Sequence, residues 1–313
     1  MQLEDLNVVL KVAEFSSITA AAECLNMLTA TASAAVKRVE KSLGAELFIR
    51  TTRQLRLSAA GERYIPNCEQ AIQMLDLARQ NVKEDLDIVD GELRISVPSD
   101  LGRNIILPWL DEFMQTYSGV SVKLHMSDSK IDFYRDPVDI AFRYGSPDDS
   151  GLYGFKICNV PRILCAAQSY LDKFGEPTHP NDLINHNGLL YQLRDMVNDV
   201  WEFTHQDYDG VISVKMKSDR ISNDAEIVRR WCVAGKGIAT KSSLDLSTDL
   251  LAKNIVPILT GFKPKPTELW LICPSRQSIT PAVRLLREHL KLKCANLLKQ
   301  LIDKSILNNN QIL

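Results

Sequence analysis

The sequence predicts an α/β chain with a small all-α head at its N-terminus, and three observations lead there. Residues 3–44 carry apolar side chains at helical spacing, with no run that alternates like a strand. Residues 59–89 continue as one long helical pattern without an interior glycine after Gly61. From Gly91 onward, strand-like runs alternate with amphipathic helical stretches, the order expected of α/β units with largely parallel sheets.

In the head, Leu3, Leu6, Leu10 and Ala13 form a first predicted apolar stripe. Ala20, Ala21 and Ala22 give a narrow helical segment that a neighbour can approach closely, and Asn26 suits a turn because it tolerates left-handed backbone. Ala32, Val36, Val39 and Leu43 make the stripe of a third helix. Its other face carries Ala30, Ala34, Lys37, Arg38 and Lys41, with Thr29, Thr31 and Ser33 in the first turn. A surface that is small at its start and cationic further on can approach base edges and still meet phosphates. The alternative is an ordinary helical hairpin with a solvated charged face.

Downstream, Leu47, Phe48 and Ile49 can close the small core, and Arg50, Thr51, Thr52, Arg53 and Arg56 form a basic hairpin, a wing beside the two-helix turn. Between Lys37 and Arg63, seven basic residues face Glu40, Glu46 and Glu62, a local net charge of +4 in a chain of net charge −2 and pI near 6.2. A local basic patch suffices for phosphate contact. Arg50 is equally suited to bracing the wing against an acidic neighbour.

The stretch Ala59 to Val89 repeats Ile65, Cys68, Ala71 or Ile72, Leu75, Leu77 or Ala78, Val82 and Leu86 at helical spacing. Pro66 predicts a kink unless it falls in the first turn. A helix of about 25 residues spans nearly 40 Å and cannot bury such a stripe alone, so pairing with a second copy is expected. The acidic run from Glu84 to Asp90 is not expected to touch DNA.

Residues 91–313 exceed what one compact sheet needs, which predicts two subdomains with a cleft between them. Candidate ligand contacts sit at strand ends: Ser99 and Asp100 before a helix whose free amides would favour an anion, Ser127 and Asp128 after the second strand, and Arg143 after a third. Asn223 reads as a cap for a helix starting at Asp224, or else as a ligand contact.

Catalytic and cofactor chemistry find little support. His125, His179, His186, His205 and His289 are scattered without metal-ligand spacing, and no glycine-rich dinucleotide, Walker-type or GxSxG pattern occurs, so neither a metal nor a cofactor is expected. Cys24, Cys68, Cys158, Cys165, Cys232, Cys273 and Cys294 are an odd count without CxxC, as buried free thiols in a reducing compartment would be. Residues 1–30 lack a secretory pattern and no 18-residue apolar span exists, so a cytoplasmic protein with no membrane partner is expected.

Three segments, LEDLNVVLKVAEFSSITAAAECLN, TATASAAVKRVEKSLGAELF and RTTRQLRLSAAGE, in that order over Met1 to Pro66, resemble the LysR-type transcriptional regulators. Looser similarity continues through LRISVPSDLGR, DIAFRYG, RILCAAQSYL, NDAEIVRRWCVAGKGIA and ELWLICPSRQSITPAVRLLREHL. The resemblance implies a winged helix-turn-helix DNA-binding domain at 1–58 and a dimerising linker helix at 59–90. It further implies an effector-binding domain at 91–313, of two α/β subdomains resembling periplasmic binding proteins, about 91–160 with 266–300 and about 161–265. Residues 301–313 would be left as a poorly ordered polar tail.

The same resemblance implies a homodimer, or a homotetramer, on double-stranded DNA bearing an interrupted palindrome, with reading heads about 34 Å apart. A small effector would bind between the subdomains. DNA contacts would fall to Thr29, Ala30, Thr31, Ser33, Ala34, Lys37, Arg50, Thr52, Arg53 and Arg56. Ala34 replaces an arginine common in similar sequences, and Thr29 and Ala30 replace glutamine or proline. That leaves methyl and single hydroxyl contacts and predicts thin direct readout, with Arg53 reading minor-groove shape or else clamping a phosphate.

Where similar sequences carry Leu and Pro after GIA, this one has ATKSS. Lys241, with Ser99 and Ser242, would then meet an anionic effector, unless the lysine is solvated or paired with Asp245. Some similar regulators sense oxidants through a cysteine pair. Cys158 and Cys165 are nearest in sequence here, but no flanking cations lower a thiol pKa. The alternative function is a solute-binding protein without DNA-binding activity, its helical head mediating protein contacts.

Overall fold

The computed structural model describes residues 2–50, 55–84, 89–129, 131–133, 136, 138–147, 151–193 and 196–308. The chain divides into two compact units, residues 1–87 and 88–313.

The first unit opens with α1 (Leu3–Phe15), α2 (Ile18–Cys24) and α3 (Thr29–Leu43). The buried face of α1 is Asp5, Val8, Val9 and Val12, while Leu3 is exposed and Leu6, Leu10 and Ala13 lie at the edge of the core. The expected stripe is thus displaced: β-branched valines at positions 8, 9 and 12 pack inward, and a carboxylate joins them. Ser17 caps α2 by accepting the Ala20 amide, and Asn26 has φ 52°, the left-handed conformation the turn requires. Ala32, Ala35, Val36 and Val39 are the buried face of α3, whereas Leu43 in its last turn is exposed.

Strands β1 (Phe48–Arg50) and β2 (Leu55–Leu57) pair antiparallel with Phe48 opposite Leu57. Helix α4 (Ala59–Glu84) then begins where Ser58 accepts the Gly61 amide. A Cβ on Gly61 would fall on the Leu47 carbonyl, so only glycine lets α4 lie this close to the start of the wing. Pro66 sits inside α4, beyond its first turn. Ile65 and Cys68 are buried, but Met74 and Leu75 are half exposed.

The second unit starts with β3 (Asp90–Val97), the short α5 (Ser99–Leu101), a π-helical stretch Gly102–Ile106 and α6 (Leu107–Thr116). Strands β4 (Gly119–Met126), β5 (Ile140–Tyr144) and β6 (Tyr153–Val160) follow. After β6 the chain builds a second layer from β7 (Arg162–Ala166), α7 (Gln168–Phe174), β8 (Asn187–Leu193), β9 (Met196–Val197), β10 (Val200–His205), β11 (Tyr208–Lys215) and β12 (Lys217–Ser222). It continues with α8 (Ala225–Val233), β13 (Ala239–Ser242), α9 (Ser247–Leu251), β14 (Val256–Ile258) and β15 (Lys263–Pro264). Strand β16 (Thr267–Cys273) returns to the first sheet and α10 (Pro281–Asp303) covers it.

The first sheet has the order β4-β3-β5-β16-β6. Its β4, β3 and β5 are parallel, but β16 runs antiparallel to both neighbours. Among the described residues of the second layer, only β8 and β12 form a parallel pair of strands, and the others are antiparallel. The expectation of largely parallel sheets therefore holds for β3–β5 and for the β8–β12 pair alone among the described strands. The physical reason is connectivity: β10 and β11 are joined by a hairpin, which permits only antiparallel pairing, and β16 re-enters from the opposite side.

One core of this unit runs from Ile95, Ile140 and Phe142 through Val160 and Cys165 to Leu244 and Leu286, and a second gathers Leu164, Tyr170, Trp201 and Phe203. Thr280 caps α10 and Pro281 occupies its first turn. Leu301 and Leu307 are buried, so the chain after residue 300 is not a loose tail up to there; residues 309–313 lie outside the described residues.

Candidate functional site

On the first unit, Thr29, Ala30, Thr31, Ala34 and Lys37 are exposed on one face of α3, and Ser33 is half buried. No side chain caps α3; Thr31 and Ala32 donate to the Leu28 carbonyl. An uncapped helix start with short side chains presents amides and a positive dipole end to a phosphate. Arg56 is exposed on β2. The side chain of Arg50, and Thr52 and Arg53, lie outside the described residues.

Two residues of the basic stretch act as braces. Arg38 donates from Nε and Nη2 to the carboxylate of buried Asp5, which ties α3 to α1. The Arg38 guanidinium, chiefly through that hydrogen bond, holds the Asp5 carboxyl below its usual range. Arg38 was expected to face outward with Lys37 and Lys41, but its planar fork finds a two-toothed partner inside the unit. Glu40 accepts the Leu47 amide at 2.8 Å and the Phe48 amide at 3.3 Å, so α3 carries the start of the wing.

On the second unit a cleft of about 340 Å³ is lined by Asp128 and Ser129 after β4 and by Tyr191, Gln192, Leu193, Ile221, Ser222 and Asn223 on the second layer. Beside it, Asp128 joins the two layers. Its Oδ1 accepts the Ser99 amide at 2.6 Å, and its Oδ2 accepts the Ser99 hydroxyl at 2.7 Å and the Ala225 amide, at the start of α8, at 2.7 Å. Asp224 caps the same turn by accepting the amides of Glu226 and Ile227. Of the two readings of Asn223 from the sequence, cap or ligand contact, the cap thus falls to its neighbour. Asn223 is exposed instead and lines the cleft, because the helix begins one residue later, at Ala225.

Lys241 is buried, and its ammonium pairs with Asp100 and donates to the Ala225 carbonyl at 3.1 Å. Burial lowers the lysine pKa, but Asp100 and then Asp245 more than offset it. Asp245 is pushed well above the usual carboxylate range by burial and by Asp100, and it accepts from the Tyr144 hydroxyl. Ser242 exchanges a hydrogen bond with Tyr144 at 2.9 Å. In place of the expected contact of Lys241, Ser99 and Ser242 with an anion, all three are engaged internally, and Asp100, rather than the alternative partner Asp245, carries the lysine's ion pair.

Ser127 accepts the Ser129 amide at 3.2 Å. Arg143 donates to Ser96, to the Phe142 carbonyl and to the Ser129 carbonyl behind the cleft. Burial lowers the Arg143 pKa, opposed by Asp128 and Tyr191. Cys158 and Cys165 do not pair: Cys165 lies 3.6 Å from Cys232, and Cys158 interacts with Cys294.

Residues 3–62 match the bacterial regulatory helix-turn-helix protein, lysR family, and residues 87–295 match the LysR substrate binding domain. The chain belongs to the LysR family. This LysR-type transcriptional regulator is 28% identical to the HTH-type transcriptional regulator DmlR of Escherichia coli K12, over 92% of this chain and 93% of that one. It resembles the full-length structure of the Vibrio cholerae virulence activator AphB at 25% identity, with a TM-score of 0.56 and coverage of 93% and 99%. Against CrgA, a LysR-type regulator of Neisseria meningitidis, the identity is 27%, the TM-score 0.57 and the coverage 96% and 99%.

In this LysR-type regulator the predicted residues of α3 fall on one accessible face, whereas the predicted cleft residues divide. Asn223 lines the cleft, Ser99 supports it through Asp128, and Asp100, Lys241 and Ser242 are interior. Tyr191, Gln192, Leu193, Ile221 and Ser222 were missed. They close strands β8 and β12, which pair in parallel and so deliver their C-terminal ends to one place. Among the described residues no helix is long and apolar enough to cross a membrane, and no cluster of His, Cys, Asp and Glu could hold a metal.

Proposed function

We propose that this regulator binds double-stranded DNA sequence-specifically through the outer face of α3 and the wing, as a self-paired copy, and that a small effector in the cleft between its two α/β layers controls it. The observation that carries the reading is the accessible tip of α3, where Thr29, Ala30, Thr31 and Ala34 surround an uncapped helix start one and two turns before Lys37. Methyl and hydroxyl groups of this kind contact thymine methyls and single acceptors in the major groove.

Two heads on one interrupted palindrome require pairing, and the half-exposed Met74 and Leu75 of α4 supply an apolar strip for it. An effector acts by binding one arrangement of the regulator better than another. Electrophoretic titration of the full chain against the DNA just upstream of its own coding region, at two salt concentrations, tests the reading. Affinity for that DNA above random duplex, with a steep salt dependence, is the expected result; equal affinity for both removes sequence specificity, and no binding at either salt leaves the solute-binding alternative.

A further inference from the structure

We propose that Asp128 sets the charge class of the effector: its carboxylate fills the anion seat beside the cleft, so the cleft takes an uncharged ligand bearing hydroxyl or amide groups. This rests on the reading of the cleft as the effector site.

The first turn of a helix is a ready place for an anion, because its amides are unpaired and its dipole is positive. In α8 that place is filled from within. The Ala225 amide donates to Asp128, the Ile227 amide to Asp224, and the Glu226 amide to Asp224 with a longer contact to the Ser99 hydroxyl. The Ser99 amide, across the cleft on the other layer, is also taken by Asp128. One carboxylate thus accepts three donors from two layers, as the carboxylate of a bound ligand would.

Among the described residues, the cations nearby are engaged or offset as well. Lys241 is buried against Asp100, and Arg143 donates its Nη groups to Ser96 and to the Phe142 and Ser129 carbonyls, keeps a buried Nε without a partner, and has its charge offset by Asp128. Arg103 lies 4.0 Å from Asp224 and donates to the Ser99 carbonyl. An anion entering the cleft would meet the Asp128 carboxylate with no free amide turn to compensate. The rest of the wall is Ser129, Tyr191, Gln192, Leu193, Ile221, Ser222 and Asn223. Hydroxyls, amides and two aliphatic side chains suit a neutral molecule that exchanges hydrogen bonds and buries some carbon surface.

The test compares full-length wild type, Asp128→Gly and Asp128→Asn by thermal unfolding in sodium acetate and sodium succinate, each against sodium chloride of equal ionic strength. Wild type is expected to show no anion-specific rise in midpoint. Asp128→Gly is expected to unfold at a lower temperature and to regain the loss progressively with acetate, whose carboxylate replaces the deleted one. A saturable rise of the wild type in either anion, or a folded Asp128→Gly chain indifferent to acetate, overturns the proposal.

If Asp128→Gly does not fold, Asp128→Asn decides with wild type: its amide offers one accepting oxygen for three donors, so a lowered midpoint supports the seat and an unchanged one removes it. The DNA affinity of Asp128→Gly, read with and without acetate, separates the two readings. Acetate rescue of stability with no change in DNA affinity leaves Asp128 as the occupant of the seat and discards the cleft as the controlling site.

Discussion

Arg38 and Asp5 form a two-toothed ion pair that fixes the reading helix against α1, with the carboxylate buried and the guanidinium half exposed. The pair converts what reads as one more phosphate contact into a scaffold bond. Asp5 lies below its usual pKa, so its contribution is present above the unfolded value of 3.8 and is lost as pH falls through the lower folded value. Asp5→Asn is expected to lower the unfolding midpoint of the first unit near neutral pH, with the gap from wild type closing in acid. Urea unfolding across a pH series checks this, and a gap independent of pH would refute it.

Lys37, exposed on the outer face of α3, is expected to contribute through phosphate alone. Lys37→Ala should reduce the slope of log affinity against log salt by about 0.9 and weaken operator and random duplex by the same factor. A loss confined to the operator would make Lys37 a base contact instead.

Lys241 and Asp100 are both buried, and deleting one leaves the other charge without its partner. Lys241→Met is expected to destabilise the second unit by about 3–5 kcal/mol, measured by chemical denaturation. A cost below about 1 kcal/mol, as for an exposed pair, would show the ammonium to be solvated.

Asp245 lies well above the carboxylate range, chiefly through burial and then through Asp100. A group whose folded pKa is raised contributes stability that is full below the unfolded value of 3.8 and lost as pH rises through the folded value. Asp245→Asn keeps a neutral group of the same shape and escapes that loss. Its stability relative to wild type should therefore increase with pH above about 4, followed by thermal unfolding; a constant difference would argue against a protonated Asp245.

Met74 and Leu75 are half-exposed apolar residues of α4. Leu75→Glu is expected to shift the full chain from a paired to a single species in sedimentation and to weaken operator binding more than random binding. An unchanged mass would place the pairing surface elsewhere.

The head was legible in the sequence because its signals are local. Alanines at 20–22, a left-handed Asn26 and a stripe repeating every three or four residues leave little choice of conformation. The displaced stripe of α1 shows the limit: Asp5 joins the buried face because Arg38, 33 positions away, neutralises it. The cleft was less legible for the same reason on a longer scale. Asp128 meets Ala225 across 97 positions and Lys241 meets Asp100 across 141, and charge at a strand end does not reveal whether its partner is a ligand or another part of the chain. Strand order was equally hidden, since β16 inserts between β5 and β6 only after the second layer is complete.

Glu40 sustains the start of the wing through backbone amides alone, and the buried face of α3 belongs to Ala32, Ala35, Val36 and Val39. The side chains that would touch bases take no part in either task. Under the proposed reading of α3, substitutions at positions 29, 30, 31 and 34 are expected to retarget the protein to a new operator without loosening its frame, which makes these four sites the natural choice for a randomised library.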